Sequence, residues 1–157
     1  MTCTHTNLKA LIAAAALMGP WPLLADVVGV VEGGGSFAPT AITGDVANGI
    51  EVTINSKTSS GTSHNTYDRF NVPAAGVVLN NTTGANLIIN EVVNTSIANN
   101  ISTIAGPLEV VGVNSAHVVL ANPNGIVVDG GSFVNSASVM LTTGDIHRFT
   151  SVAGDIL

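Results

Sequence analysis

Hydrophobic positions in the second half of the chain fall in short runs of valine, isoleucine and leucine, each closed by asparagine, glycine, proline or aspartate. The runs read GVVLNN (76–81), NLIINEVV (86–93), PLEVVGV (107–113), AHVVLANPNG (116–125), GIVVDGG (125–131) and ASVMLTTGD (137–145). β-Branched residues favour strands and the closing residues favour turns, while no apolar stripe of helical period appears. The pattern therefore predicts an all-β region of short strands.

The sharpest corner lies within VVLANPNGIVVDGG (118–131), where two apolar runs flank the residues Asn122–Gly125. Proline fixes its own backbone angle, and Asn-Gly is a strong turn dipeptide. An antiparallel hairpin and a corner of a parallel solenoid both fit this stretch. The runs do not alternate cleanly between apolar and polar residues, which favours burial on both faces, as in parallel sheets.

Asparagines are unusually frequent, with 16 beside 21 valines, and they gather at the ends of the apolar runs. Examples are Asn80, Asn90, Asn122, Asn124 and Asn135. In a stacked solenoid, we expect an inward asparagine to bond its neighbour in the next coil and so satisfy a buried corner. A β-sandwich remains the alternative, and the scarcity of aromatic residues argues against it.

The pattern is weaker elsewhere. Residues 26–49 predict a short strand followed by a mobile loop at the glycine run 33–35. Residues 50–54 alternate as a strand, and the following serine, threonine and glycine residues predict a loop. The stretch NTSIANNISTIAG (94–106) predicts a loop or one turn of helix.

Residues 1–25 have the layout of a secretory signal peptide. Lys9 precedes an unbroken apolar stretch (10–18), a Gly-Pro pair ends it, and the segment closes at Ala25. The apolar stretch is too short to cross a bilayer. We therefore expect entry into the general secretion machinery and cleavage after Ala25.

Removing this segment makes the remainder more acidic and free of cysteine. The only cysteine, Cys3, leaves with it, and Lys57, Arg69 and Arg148 remain beside all ten carboxylates. Such a balance disfavours binding to nucleic acid or to an anionic membrane. No later run is long and apolar enough for a membrane helix, so no stable membrane insertion is expected.

Candidate chemistry is sparse. The histidines share no ligand spacing, so loop or surface positions are expected, with no metal or cofactor. Beyond the predicted signal peptide they are His64, His117 and His147. Acidic residues with a nearby arginine leave one rival, a carbohydrate-active β-helix enzyme (polysaccharide lyase or hydrolase). Its candidates are Asp68, Asp129 and Asp145 with Arg69 and Arg148. Asp129 lies in a turn context, so no catalytic residue is predicted.

Several motifs in order carry a resemblance to a known family. They are YDRFNV (67–72), GVVLNN (76–81), INEV (89–92), GPLEVVG (106–112), ANPNGI (121–126) and VDGGSFVNSASVMLTTG (128–144). Together they closely resemble the amino-terminal secretion domain of filamentous-haemagglutinin-like exoproteins, the passengers of bacterial two-partner secretion. The resemblance covers roughly residues 50–145, and linked motifs in order are far more specific than one motif.

The resemblance implies a right-handed parallel β-helix with a short amino-terminal cap and small antiparallel side sheets. It also implies a non-catalytic module of an adhesin, haemagglutinin or haemolysin type of exoprotein. The partner implied is an outer-membrane β-barrel transporter with periplasmic polypeptide-binding domains. The product is then secreted or held at the cell surface after passing through the periplasm, and folding there is templated by this domain.

Two departures from the family pattern stand out. A second motif, Asn-Pro-Asn-Leu, is absent from the segment between Asn81 and Ile89. Family domains continue for several coils beyond LTTGD, so the secretion domain (26–157) is expected to be truncated at its carboxyl end. A fragment, a truncated gene product and a module without cargo all remain open.

Two groups of residues are singled out. The first is predicted to build the family corner: Asn122, Pro123, Asn124, Gly125 and Ile126. The second is a candidate surface for partner recognition: Arg69, Phe70, Asn71 and Val72. A purely structural interpretation buries Phe70 and Val72 at a strand entry and leaves the role of Arg69 open.

Overall fold

The computed structural model describes residues 29–33, 37–144 and 146, and these form twelve strands with no α-helix among them. The strands are β1 Val30–Glu32, β2 Ala41–Asp45, β3 Gly49–Thr53, β4 Thr62–Phe70, β5 Val77–Asn81, β6 Leu87–Val92, β7 Ser102–Ile104, β8 Pro107–Gly112, β9 Ala116–Ala121, β10 Ile126–Val128, β11 Ser132–Val134 and β12 Ser136–Thr142. The predicted signal peptide, part of the glycine run and the carboxyl-terminal residues 147–157 lie outside the described residues.

The strands recur in a fixed order through three sheets. In one sheet β4, β6, β9 and β12 are parallel neighbours, and in a second β3, β5, β8 and β11 are. The third sheet pairs β7 with β10, also in parallel. Only β1 with β4 and β2 with β3 pair antiparallel within the described residues. The chain is therefore a parallel β-helix with an antiparallel cap, as predicted.

The core is built from apolar residues that occupy the same register position in successive coils. Val52, Leu79 and Val110 stand side by side across β3, β5 and β8, and each is fully buried. Each fully buried side chain of this kind contributes about 1.5–3 kcal/mol relative to an exposed one. Because the parallel register repeats, each coil covers the apolar face of the one before it.

Strand β4 corrects the sequence prediction, which assigned most of its residues to a loop. It runs through TSHNTYDRF, and its first six residues are buried although five of them are polar. The Asn65 amide donates to Ile89 O at 3.2 Å and its Oδ1 accepts from Asn55 N–H at 2.8 Å. Short polar side chains can thus form a buried strand when neighbouring coils satisfy them.

Three further short strands were also missed. β2 and β11 have little hydrophobic patterning, and β7 lies where a loop or a helical turn was predicted. The turn after β2 is held by Asp45, whose pKa is lowered by hydrogen bonds from the Asn48 side chain and from the Asn48 and Ala47 backbone. Local hydrogen bonding, which composition does not reveal, defines this turn.

The buried asparagines bond backbone groups more than each other, which revises the predicted asparagine pairing. Asn65 and Asn90 are register partners, yet Asn90 Nδ2 donates to Val119 O at 3.4 Å. Asn81 Nδ2 donates to Ala85 O and Asn114 O, while Asn80 lies nearer the surface and bonds Glu51. The asparagine side chains therefore link neighbouring coils mainly through hydrogen bonds to backbone groups.

Candidate functional site

The family corner connects two different sheets. β9 ends at Ala121 in the first sheet, and β10 begins at Ile126 in the third. The two runs do not pair with each other as a hairpin would require; β9 pairs β6 and β12, and β10 pairs β7. Gly125 has φ of 120°, a conformation that disfavours other residues, and its N–H donates to Asn122 O at 3.0 Å. This is the solenoid corner.

Asn122 organises that corner. Its side chain is buried, and its Nδ2 donates to Asn100 O at 2.8 Å and to Ser102 Oγ at 2.9 Å. Its Oδ1 accepts from the Asn124 backbone N–H at 2.9 Å, and its own N–H donates to Thr142 O at 3.0 Å. One side chain therefore links the preceding coil to the turn itself, which supports a structural role.

Asn124 and Pro123 contribute less to the interior. The Asn124 amide is half-buried and donates to Asn122 Oδ1 at 2.9 Å and Asn94 O at 3.3 Å. Pro123 is exposed. The corner therefore presents the proline outward while the two asparagines face the neighbouring loop.

The second predicted group, residues 69–72, crosses from the first sheet to the third. Phe70 and Val72 are each 1% exposed, as expected for a strand entry. Arg69 is half-buried and pairs with Val31 of β1 in the antiparallel register. Asn71 Oδ1 accepts from Thr103 N–H at 2.9 Å, which ties this segment to β7.

The structure brings these two groups onto one side of the β-helix. Val72 forms a parallel bridge with Ile104 of β7, and β7 in turn pairs with β10, which begins the segment after the corner. Asn100 completes the link, since its amide donates to Asp68 O at 2.8 Å and its carbonyl accepts from Asn122. Sequence reasoning missed this link because β7 and Asn100 lie in the stretch predicted as a loop.

A groove lies beside residues 69–72, and we name it the Arg69 groove. It has a volume of about 500 Å³ and is lined by residues of segments 69–74 and 98–105. Most of its lining is apolar, including Pro73, Ala98 and Ile101. Ile101 also borders the corner, because its Cγ1 would lie 3.5 Å from a Cβ added at Gly125.

A buried polar cluster covers the outside of the first sheet. His64 was predicted at the surface or in a loop, but it is 6% exposed and its Nε2 lies 2.8 Å from Glu91 Oε2. Glu91 Oε1 accepts from the Ile146 N–H at 3.2 Å, and the Phe37 ring stacks on His64 at 4.6 Å. The pair therefore fastens segments from both ends of the described chain to the same sheet.

The remaining candidates that the structure describes do not come together in a catalytic arrangement. His117 is exposed as expected and its Nδ1 lies 2.7 Å from Ser138 Oγ. Asp129 is exposed in a turn, and Asp145 and His147 lie outside the described residues. In the part of the chain that the structure describes, no three histidine, cysteine or acidic residues come together in a way that would hold a metal ion. Burial raises the pKa of Tyr67, whose hydroxyl donates to Asn90 Oδ1 at 3.0 Å, which suits a core role.

No helix among the described residues is long and apolar enough to span a membrane.

Comparison with known proteins places this fold in a family. The protein-family model of the TPS secretion domain matches residues 33–153 of this chain. A crystal structure of a filamentous hemagglutinin secretion domain superimposes with a TM-score of 0.66 and 34% identity, over 80% of this chain and 44% of that one.

Curated relatives are much longer. The tRNA nuclease CdiA-2 of Burkholderia pseudomallei is 37% identical over 90% of this chain, and the filamentous hemagglutinin of Bordetella pertussis is 39% identical over 59% of it. The chain spans about 5% and 3% of their respective lengths. With the family model matching most of the sequence and the fold agreeing, this chain belongs to the TPS secretion domain family of two-partner secretion.

Proposed function

We propose that this domain directs a bacterial exoprotein across the outer membrane through a dedicated β-barrel transporter that carries periplasmic polypeptide-binding domains. Residues 1–25 act as a signal peptide for the general secretion machinery, and residues 26–157 act as the secretion domain. The product reaches the medium or the cell surface through the periplasm. Membership of the TPS secretion domain family and the structural likeness to the hemagglutinin domain support this proposal.

The domain also templates folding of the chain at the surface. The observation that carries this step is the arrangement of the last three described strands, β10, β11 and β12, which each occupy a sheet edge. Val127, Met140 and Leu141 there are exposed. A strand at a sheet edge with exposed apolar side chains favours addition of a further strand. Stacking each new coil on the last would favour outward movement without nucleotide energy.

The domain itself is non-catalytic, and any activity belongs to regions beyond it. The matched relatives are described as nucleases, a toxin and a hemagglutinin, which are properties of those long proteins. A purified residue 26–157 protein should give a β-rich circular dichroism spectrum and leave acidic polysaccharides with calcium uncleaved. Cleavage that disappears with Asp129→Ala would favour the carbohydrate-active enzyme instead.

Export of a reporter tests the proposal directly. Residues 1–157 fused ahead of a reporter should reach the medium only when the cognate barrel is co-expressed. The control is a fusion that lacks residues 118–131, in which the secretion domain is not expected to fold and no export is expected. Equal release with and without the barrel would contradict the transporter's role.

A further inference from the structure

Backbone pairing in the first sheet joins each strand only to the strands beside it. The order is β1-β4-β6-β9-β12, so β9 separates the last strand from β6. In a solenoid of this kind, stability is close to a sum over coils and over contacts between adjacent coils, and the last coil can open without disturbing the first. A side-chain contact that skips a strand changes this behaviour, because it ties together coils that the backbone does not pair.

Ile146, which follows β12, makes such a contact. Its N–H donates to Glu91 Oε1 of β6 at 3.2 Å, and its side chain packs with Ile89 and Val119 in a second apolar cluster, separate from the main core. The side chain of Ile146 is buried there. The chain therefore reaches back across β9 and binds the strand beyond it.

The other oxygen of Glu91 continues the connection to the start of the described chain. Glu91 Oε2 lies 2.8 Å from His64 Nε2 of β4, and the Phe37 ring stacks on His64 with their centroids 4.6 Å apart. Phe37 O also accepts from the Thr66 N–H of β4 at 2.8 Å. We name the group Phe37, His64, Glu91 and Ile146 the outer latch.

Burial makes the members of the outer latch depend on one another. Glu91 is 1% exposed, so its carboxylate depends on these partners rather than on water. His64 Nδ1 is buried and has no hydrogen-bond partner among the described residues, which leaves Glu91 and the Phe37 ring to hold the imidazole. Losing the contact at Ile146 therefore loosens Glu91, then His64, and finally the segment at Phe37.

We infer that the outer latch couples the first and last described coils, so that the β-helix resists opening as a unit only when residue 146 is in place. Without this contact, the coils open one at a time, as in a simple solenoid. The coupling is a property of the folded domain alone and goes beyond its proposed function in export. It suits a chain that folds coil by coil, because completing the last coil also secures the first.

A double-mutant cycle across the two ends of the outer latch tests the coupling. Phe37→Ala removes a ring that is 42% exposed, and Ile146→Ala removes the side chain that holds the N–H against Glu91. In urea denaturation of the full chain, each variant raises the equilibrium constant for unfolding. The rise in the double variant should be about fivefold smaller than the product of the two single rises, because the second change removes a contact that the first has already weakened.

A matched cycle provides the control. Val134 lies in β11 of the last described coil but in the second sheet, and it is 39% exposed. Phe37→Ala combined with Val134→Ala should give the product of the single rises to within about twofold, as expected for independent sites. If an alanine variant does not fold, Phe37→Leu and Ile146→Val provide a milder cycle, with a proportionately smaller departure from the product.

Amide hydrogen exchange provides a readout that a purely local contact would not move. Ile146→Ala should accelerate exchange at the Thr66 N–H, three strands away from β12, about fivefold more than at the amides of β5 in the second sheet. Val134→Ala should show no such preference. A cycle between Phe37 and Ile146 that matches the product of the single rises, or exchange at Thr66 no faster than in β5, would refute the coupling.

Discussion

The two long sheets of this β-helix are stabilised in different ways. In the sheet of β3, β5 and β8, a row of valine and leucine side chains fills the interior. In the sheet of β4 and β6, polar side chains such as Asn65 and Glu91 are equally buried and are satisfied by neighbouring coils. The stability of the first sheet depends on side-chain volume, while that of the second depends on specific hydrogen-bond partners. Substitutions that change polarity but little else should therefore affect the two sheets differently.

The largest effect is expected from removing volume in the apolar row. Leu79→Ala should lower the free energy of unfolding by about 2–5 kcal/mol, because the rigid coils on either side cannot close the cavity. Leu79→Met, which keeps the volume, should cost less than about 1.5 kcal/mol. Urea denaturation measures both free energies, and equal losses would mean that side-chain volume does not govern the stability of this row.

A comparable exchange in the polar sheet should cost more stability than Leu79→Met does in the apolar row. Asn65→Leu keeps the number and branching of the side-chain heavy atoms, yet it leaves the Asn55 N–H and Ile89 O without their partner. Each buried group left unpaired costs about 1–3 kcal/mol. The free energy of unfolding should therefore fall by more than for Leu79→Met, and an unchanged or higher value would refute the partner-based account of β4.

A backbone effect of intermediate size is expected at the corner. Gly125→Val places a β-branched residue at φ of 120° and should cost about 1–3 kcal/mol by strain. The nearest side chain, Ile101, leaves room for a Cβ at 3.5 Å, so crowding adds little. Pro123→Ala, at the exposed neighbouring position, should stay within about 0.5 kcal/mol. Thermal denaturation with similar losses for the two variants would argue against strain.

The smallest effect is expected from a polar exchange that preserves an acceptor. Glu91→Gln keeps an oxygen for the Ile146 N–H and should lower the free energy of unfolding by about 1 kcal/mol. Amide hydrogen exchange should accelerate at Ile146 more than in β9. Glu32→Gln, on an exposed side chain of β1, is the control. Unchanged exchange at Ile146 would show that Glu91 does not hold the following segment.

Sequence reasoning predicted the apolar half of the fold because its strands carry their own signal. Valine and isoleucine runs marked β5, β6, β8, β9, β10 and β12. It missed β4 and the burial of His64, since a polar strand is stabilised by partners from neighbouring coils that no local pattern reveals.

The corner residues themselves were found from the sequence, whereas their surroundings were not. Asn-Pro-Asn-Gly identifies a turn by local chemistry. Its junction with Asp68 and Val72 depends on β7 and on Asn100, in a segment that looks like a loop. The Arg69 groove, formed by two distant segments, has no signature in either one alone.

We expect the family corner to affect export through the folding of the domain. Asn122→Ala leaves Asn100 O, Ser102 Oγ and the Asn124 N–H without this partner, which should lower the free energy of unfolding by about 3 kcal/mol. The decisive measurement is the thermal midpoint and barrel-dependent export of this variant, taken together, beside Pro123→Ala. Both quantities should fall in Asn122→Ala, and neither should fall in Pro123→Ala. An Asn122→Ala protein that keeps the wild-type thermal midpoint yet loses export would contradict it and make the corner a recognition element.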